Sequence, residues 1–161
     1  ILCRDCKENI SIAALRDFVR SGKLNLRREQ KSCQDYVEKM HIKTPSLRQK
    51  VVNLSGGNQQ KIVLAKWLMS DAKVLFLDEP TLGLDVIARS ELWDTVRALK
   101  GKKTIILTTH YMEEAEELSD RVGIMRGGKL LALGTAEELK ALAGKEKFED
   151  AFVTIVKGER K

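Results

Sequence analysis

Four apolar residues in a row, Val74 to Leu77, are followed directly by two carboxylates and a proline in the sequence VLFLDEP. A short, unbroken apolar run of this kind predicts a strand that is buried on both faces. A second run, TIILTTH at residues 104–110, has the same character and ends in polar residues. Because helical patterns lie before, between and after these strands, the sequence predicts an α/β core with a largely parallel sheet.

Helical spacing of apolar residues marks three segments, and the pattern predicts that these residues face the core. They are Ile12, Leu15, Phe18 and Val19 in the first segment, Val63, Leu64, Trp67 and Leu68 in the second, and Leu92, Val96 and Leu99 in the third. A Ser-Gly break at residues 21–22 interrupts the first segment, which covers residues 9–41.

The rear of the chain allows more local predictions. MEEAEEL predicts a short acidic helix, and RVGIMRGGKLLALG predicts two strands joined as a hairpin at Gly127 and Gly128. Thr135 and Glu138 predict a capping box at the start of a further helix. The segment FEDAFVTIV fits a helix or a strand, and its pattern does not choose between them.

The positive charge of the chain is unevenly distributed. The net charge is +6, and residues 1–50 hold all of this excess, with 12 basic residues against 6 acidic ones. A basic lobe can face nucleic acid or anionic lipid. Its basic residues are not interleaved with aromatic stacking platforms, which favours a solvated helical surface over a nucleic-acid site.

Cysteine usage and the N-terminus give weaker indications. Cys3, Cys6 and Cys33 form one C-x-x-C pair and one further thiol, with no second pair, so reduced thiols are favoured over a zinc site or a redox pair. No apolar run approaches the roughly 18 residues that span a bilayer. The start ILCRDCKENI has no methionine and no signal-peptide pattern, so we expect the chain to begin inside a longer protein.

Asp78 and Glu79 are the first candidates for chemistry. Two carboxylates at the end of a buried strand are costly unless they meet a cation or a reacting group. Phosphoryl transfer needs one carboxylate for hydrated magnesium and one group that orients or deprotonates the attacking water, and this pair can supply both. The alternative is that these acidic residues cap the following helix.

Two further segments could act on phosphate. His110 ends the second strand, where a neutral imidazole could contact a terminal phosphate, although a helix-capping histidine is the alternative. Ser55, Gly56 and Gly57 precede a helix whose N-terminal N–H groups can cradle phosphate oxygens. For these three residues the alternative is an ordinary N-cap and turn.

The four motifs occur in an order that resembles the second half of the nucleotide-binding domain of ABC transporters. LSGGNQQ resembles the signature motif, VLFLDEP the Walker B strand with the catalytic glutamate, GLD (83–85) the D-loop and TTH the switch histidine. The resemblance covers roughly residues 9–142. It implies a partial P-loop NTPase-like (RecA-like) parallel sheet core, with an α-helical subdomain on its N-terminal side.

The resemblance also implies roles for single residues. Asp78 would hold Mg²⁺, Glu79 would act as general base, and His110 would contact the γ-phosphate of ATP. The signature residues would close over ATP held by a partner domain, and Asp85 would link the two sites of the dimer. The residues implied in binding the partner's ATP are Ser55, Gly56, Gly57 and Asn58, where Asn58 replaces the commoner glutamine.

A Walker A loop is not found ahead of these motifs. GIMRGGKL at residues 123–130 nearly fits the loop pattern, but Leu130 replaces the required hydroxyl, and a hairpin explains it better. We therefore expect a partial cassette with little ATPase activity by itself. Its expected domains are a helical subdomain at 1–54, the C-terminal half of the ATPase core at 55–144 and a tail at 145–161.

The resemblance implies an ATPase subunit that couples ATP binding and hydrolysis to transport. Its partners would be a second nucleotide-binding domain and a transmembrane permease, without nucleic acid, at the cytoplasmic face of the cell membrane. The front resembles the second cassette of carbohydrate importers, whereas the rear is similar to multidrug-type exporter ATPases. The presence of His110 favours the exporter-like interpretation. The alternatives are a soluble ABC ATPase that acts on DNA or ribosomes, and a non-catalytic regulatory half-cassette.

Overall fold

The computed structural model describes residues 1–158, which form two compact units divided between Ile106 and Leu107. No helix in this range combines the length and the apolar character that crossing a membrane requires. The domain boundaries expected at residues 54 and 144 stay a prediction.

The first unit is mainly helical in its front part. In chain order its elements are α1 (Cys6–Ser11), a 3₁₀ helix (Ile12–Phe18), β1 (Val19–Arg20), β2 (Lys23–Leu24), α2 (Leu26–Lys39), a 3₁₀ helix (Val51–Asn53), α3 (Gly56–Met69), β3 (Val74–Asp78), α4 (Val86–Arg97) and β4 (Thr104–Thr108), which crosses the division. Strand β1 pairs antiparallel with β2, and β3 pairs with β4.

The core of this unit joins the front helices to α3, α4 and β3. The predicted apolar side of α4 is confirmed, because Leu92, Val96 and Leu99 are all buried. Leu92 and Leu99 lie in one hydrophobic cluster with Leu75 of β3. This cluster holds α3 and α4 against the same face of β3.

The buried face of α3 differs from the prediction. Leu64 and Leu68 are buried, but Val63 and Trp67 are nearly half exposed. The face that packs inside the unit runs through Asn58, Lys61, Ile62, Ala65 and Leu68, at helical spacing. A hydrophobic pattern could not find this face, because two of its members are polar and are buried only with their hydrogen-bond partners.

Strand β3 is also less buried than predicted. Leu75 is 4% exposed, whereas Val74 is 44% and Phe76 75% exposed, so only one face of the strand is covered. Strand β4 alternates between exposed and half-buried residues, with Ile106 46% exposed. Burial on both faces requires helices on both sides of a sheet, and the described residues cover one side of these two strands.

The first predicted helix is broken. Phe18 is buried, but Ile12, Leu15 and Val19 are exposed. The chain leaves α1 as a 3₁₀ helix and then turns back as a hairpin at Ser21 and Gly22, both with positive φ. The predicted Ser-Gly break is therefore a tight turn between β1 and β2.

A buried carboxylate ties α1 to α2. Glu29 is 2% exposed and accepts hydrogen bonds from Lys7 Nζ at 2.8 Å and from Ser11 Oγ at 2.7 Å. Burial raises the pKa of the neighbouring Cys33 thiol to about 12, and the negative charge of Glu29 is the second largest cause. Cys6 is buried as well and donates to the carbonyl of Gln49, whereas Cys3 is exposed, and all three thiols are free.

The second unit contains α5 (Met112–Leu118), β5 (Val122–Arg126), β6 (Lys129–Gly134), α6 (Ala136–Ala143) and α7 (Phe148–Gly158). The predicted hairpin is confirmed by the antiparallel pairing of β5 and β6, with Gly127 and Gly128 at φ of 55° and 76°. The capping box of Thr135 and Glu138 is present, and the unsettled tail segment forms the helix α7.

Candidate functional site

Ser55 is the N-cap of α3, but its side chain does not cap the helix. Its Oγ instead accepts a hydrogen bond of 2.8 Å from Nδ2 of Asn58. The carbonyl oxygen Oδ1 of Asn58 accepts a bond of 2.7 Å from the backbone N–H of Lys43. Because Ser55 Oγ accepts from Asn58, its own proton is directed away from Asn58 and can be donated to an incoming oxygen.

Both glycines of the signature motif pack closely against the segment that follows β3. A Cβ added at Gly57 would lie 2.9 Å from Cβ of Ala88, and one added at Gly56 would lie 3.2 Å from the Leu84 side chain. Gly57 therefore lets α3 and α4 approach each other. The glycines therefore have this packing role in addition to the role that the sequence indicated, which is to leave backbone N–H groups accessible to phosphate.

Asp78 and Glu79 stand where β3 ends. Asp78 is exposed and Glu79 is half-buried. Glu79 has a φ of 45°, a left-handed conformation that costs about 1 kcal/mol or more for a residue with a side chain. The chain then enters a turn in which Leu82 N–H donates to the carbonyl of Glu79.

Thr81 follows these carboxylates closely in the chain and is almost fully buried. It is 1% exposed, and its Oγ1 has no hydrogen-bond partner among the described residues. A buried hydroxyl without a partner is costly, so such groups concentrate at functional sites or beside water. No sequence signal distinguishes this threonine from a packed one.

Asp85 has a structural role at the start of α4. Its Oδ1 accepts a hydrogen bond of 2.8 Å from the N–H of Ala88, which makes Asp85 the N-cap of the helix. An aspartate directly ahead of the pattern VIARSEL is an N-cap signal that the sequence contains. Gly83, with a φ of 75°, shapes the turn before it.

Two ion pairs join α3, α4 and the loop that follows α2. Glu91 on α4 accepts from Lys61 of α3 at 3.0 Å and from Lys43 at 2.9 Å. Hydrogen bonds from Lys43 and Lys61 lower the pKa of Glu91 to about 2. Lys61 is 3% exposed, so Glu91 balances a buried positive charge. Since Lys43 also bonds Asn58, these pairs support the segment that orients Ser55.

His110 lies in the second unit, where it is exposed and its ring stands 4.2 Å from the ring of Tyr111. The N-cap of α5 is Tyr111, and Thr109 Oγ1 accepts from the N–H of Tyr111 at 3.0 Å. The N-cap position of α5 therefore belongs to Tyr111 and not to His110.

In the first unit the structure brings the predicted segments together on a common scaffold. The signature residues Gly56 and Gly57 pack against Leu84 and Ala88, on either side of Asp85, and the chain enters this segment from Asp78 and Glu79. The arrangement offers a directed hydroxyl and helix N–H groups on one segment, and two carboxylates on the other. Such groups suit an anionic ligand and a cation.

Comparison with known proteins agrees with this arrangement. The family model for ABC transporters matches residues 4–82. The ribose import ATP-binding protein RbsA of Rhodopirellula baltica is 40% identical over 130 residues, 80% of this chain and 25% of that protein. The galactose/methyl galactoside import ATP-binding protein MglA 1 of Photobacterium profundum is 42% identical over 133 residues, 80% of this chain and 27% of that protein.

The chain thus spans about a quarter of the length of these relatives. A match over 80% of 161 residues must include about residues 33–129, so it includes Asp78, Glu79 and His110 and most of the rear segment that resembles exporter ATPases.

A solved structure supports the fold. A dimeric ATP-binding cassette in a post-hydrolysis state, bound to ADP and Pi, superposes with a TM-score of 0.70 at 20% identity, over 84% of this chain and 58% of that one. The predicted α/β fold class is therefore confirmed as that of ABC ATPase domains. The family-model match at residues 4–82 and the sequence identity with these relatives lead to the same conclusion: the chain belongs to the ABC transporter family.

Proposed function

We propose that this chain supplies the signature and Walker B part of an ATP-binding protein that powers import of a sugar across a membrane. The observation that carries the proposal is the directed hydroxyl of Ser55. Asn58 donates a hydrogen bond to Ser55 Oγ at the start of α3. The hydroxyl proton of Ser55 can therefore be donated to an acceptor outside the chain. A phosphate oxygen is the acceptor that this combination suits.

The ATP phosphate would come from a partner domain. Ser55 would donate to a terminal phosphate oxygen, and the N–H groups at the start of α3 would add the favourable end of the helix dipole. The packing of Gly56 and Gly57 against Leu84 and Ala88 would link this contact to the D-loop. A second nucleotide-binding domain is therefore part of the proposal.

The carboxylates of the chain fit the other half of the reaction. Asp78 would hold Mg²⁺, which takes one or two protein carboxylates and draws its other ligands from phosphates and water. Magnesium would neutralise charge on the phosphates. Glu79 would accept the proton of the attacking water, and His110 would donate a hydrogen bond to the terminal phosphate.

Transport of sugar is inferred from the relatives. Both named relatives are sugar import ATP-binding proteins, and their match includes the residues that resemble exporters. We therefore favour import, a transmembrane permease as partner and a peripheral position at the membrane. The soluble DNA or ribosome ATPase is disfavoured by the same relatives.

The decisive test uses the complete protein that contains these residues. Glu79→Gln should reduce ATP turnover by at least about 100-fold, the usual contribution of a general base, and should trap an ATP-bound dimer. Turnover and gel-filtration mass with ATP are the measurements. Glu149→Gln, the same change at an exposed residue of α7, is the control and should leave both unchanged.

A second substitution tests the role of Ser55 separately. In the Glu79→Gln background, Ser55→Ala should weaken or abolish the ATP-trapped dimer, because one donor to the phosphate is lost. Normal trapping in this double variant would count against the signature role. Normal turnover of the single Glu79→Gln variant would count against the catalytic assignment.

A further inference from the structure

A basic surface without acidic residues lies on the hairpin and the first turn of α2, at residues 19–28, and we call it the hairpin surface. Its sequence VRSGKLNLRR contains four basic residues, Arg20, Lys23, Arg27 and Arg28, and all four are exposed. None of the four forms an ion pair with any residue of the described range 1–158. Their charge is therefore available to a partner.

The positions of these charges are unfavourable within the chain itself. Arg20 and Lys23 are directly opposite each other in the pairing of β1 and β2, where like charges destabilise a hairpin. Arg27 and Arg28 lie in the first turn of α2, at the positive end of the helix dipole. A negatively charged partner would relieve both repulsions.

Large apolar side chains are also exposed within the same ten residues. Val19 and Leu24 form the other cross-strand pair of the hairpin and are 48% and 38% exposed. Leu26, the first residue of α2, is 61% exposed. Exposed apolar groups are unfavourable in water. Binding becomes favourable where a partner offers an apolar region to these groups and negative charge to the basic ones.

The exposed apolar side chains distinguish between two possible partners, nucleic acid and a membrane surface. The positive charge alone does not distinguish between them. Nucleic acid would use the basic residues for phosphate and aromatic side chains for stacking, but residues 19–28 contain no aromatic side chain. Val19, Leu24 and Leu26 would have no counterpart on a phosphate backbone. At a bilayer surface, apolar side chains enter the acyl boundary while Arg and Lys stay at the headgroups.

We propose that the hairpin surface binds the anionic lipid surface of a membrane directly. The proposal goes beyond the proposed ATPase function, because this contact involves none of the nucleotide-site residues. A cassette that binds lipid as well as its permease would hold residues 19–28 at the level of the lipid headgroups.

The test is flotation of the 161-residue chain with vesicles of phosphatidylcholine containing 30% phosphatidylglycerol, compared with pure phosphatidylcholine. Binding should occur only with the anionic vesicles and should weaken in 0.5 M NaCl, because salt screens the attraction. Arg20→Gln with Lys23→Gln should weaken binding about thirtyfold, since each basic residue near such a surface contributes about fivefold.

A matched control makes the same change of charge elsewhere. Lys145→Gln with Lys147→Gln removes two exposed basic residues of the second unit and should change binding by less than about threefold. Val19→Ser with Leu24→Ser keeps every charge and should reduce the binding that remains in 0.5 M NaCl. Circular dichroism of each variant checks that the fold is retained.

Three outcomes would overturn the proposal. The first is equal binding to both kinds of vesicle, or to neither. The second is equal loss in the hairpin and control variants, which would indicate net charge rather than this surface. The third is binding to a labelled single-stranded or double-stranded oligonucleotide that depends on Arg20 and Lys23, without binding to vesicles, which would assign the surface to nucleic acid.

Discussion

Glu79, which we propose as the general base, has a backbone conformation that costs stability. Its φ of 45° lies in the region where a side chain is strained and glycine is not. The strand β3 ends one residue earlier, so the chain must turn here and carry a carboxylate at the same position. A reactive group in a strained conformation is a feature that functional sites commonly retain.

We predict that Glu79→Gly is more stable than Glu79→Ala by about 1 kcal/mol in urea unfolding of the chain, because only the glycine variant relieves the strained φ. Both variants remove the carboxylate, so the alanine variant is the matched control for lost charge. Equal stability of the two variants would show that the positive φ carries no strain.

At the scale of elements, the contact between α3 and α4 depends on Gly57. Gly57→Ala should cost about 1–3 kcal/mol, because its Cβ would lie 2.9 Å from Cβ of Ala88. Ala88→Gly should recover part of that loss in the double variant, although glycine in a helix costs about 0.5–1 kcal/mol by itself. Urea unfolding of all four proteins gives the coupling energy.

Gly56→Ala is the control for this cycle. Its Cβ would meet only the end of the flexible Leu84 side chain at 3.2 Å, so we expect a smaller loss than at Gly57. Purely additive effects of Gly57→Ala and Ala88→Gly would contradict the proposed close contact.

The Glu91 ion pairs make the same two helices sensitive to acid. The pKa of Glu91 is about 2 in the folded chain, below its ordinary value of 4.5. Stability from this group is therefore complete above about pH 4.5 and is lost as the pH falls towards 2. Because the side chain is 35% exposed, solvent screening limits this contribution to about 1 kcal/mol.

We predict that Glu91→Gln lowers the free energy of unfolding at pH 7 by about 1–2 kcal/mol, because Lys61 stays buried without its charge partner. The difference from the unchanged protein should shrink between pH 5 and about pH 3. Asp94→Asn, an exposed carboxylate on the same helix, should change stability by less than about 0.5 kcal/mol. A difference that is independent of pH would contradict the role of Glu91.

Prediction from sequence succeeded for elements whose signals are local. The hairpin at Gly127 and Gly128 and the capping box at Thr135 depend on neighbouring residues, and both are present. Prediction failed where burial depends on distant surfaces. The pattern of α3 could not reveal that Lys61 is buried, because its partner Glu91 comes from another helix.

The candidate site shows the same division. Residue types and motif order were enough to select Ser55, Asp78 and Glu79. The hydrogen bond that directs the Ser55 hydroxyl, the positive φ of Glu79 and the buried hydroxyl of Thr81 became visible only in three dimensions. These features depend on geometry, which residue identity leaves open.

For the whole molecule, the sequence offers no phosphate-binding loop that leads into a helix. The one near match, at residues 123–130, lies in the hairpin of β5 and β6. We therefore predict that calorimetric titration of the 161-residue chain with Mg-ATP detects no binding up to millimolar concentrations. The complete protein, titrated in parallel, should bind.

Clear one-to-one binding by the isolated chain would contradict this prediction. It would show that these residues form a phosphate site of their own, and the hairpin glycines Gly127 and Gly128 would be the first positions to substitute.

The buried thiols have a practical consequence for labelling. Cys6 and Cys33 are both fully buried, and burial raises the pKa of both thiols. At pH 8 the Cys33 thiol, with a pKa of about 12, is ionised in only about one molecule in ten thousand. Cys3 is exposed, so a maleimide dye should attach once per folded chain, at a position near the N-terminus. The 161-residue chain thus carries a natural single attachment point for a fluorophore, without engineered cysteines.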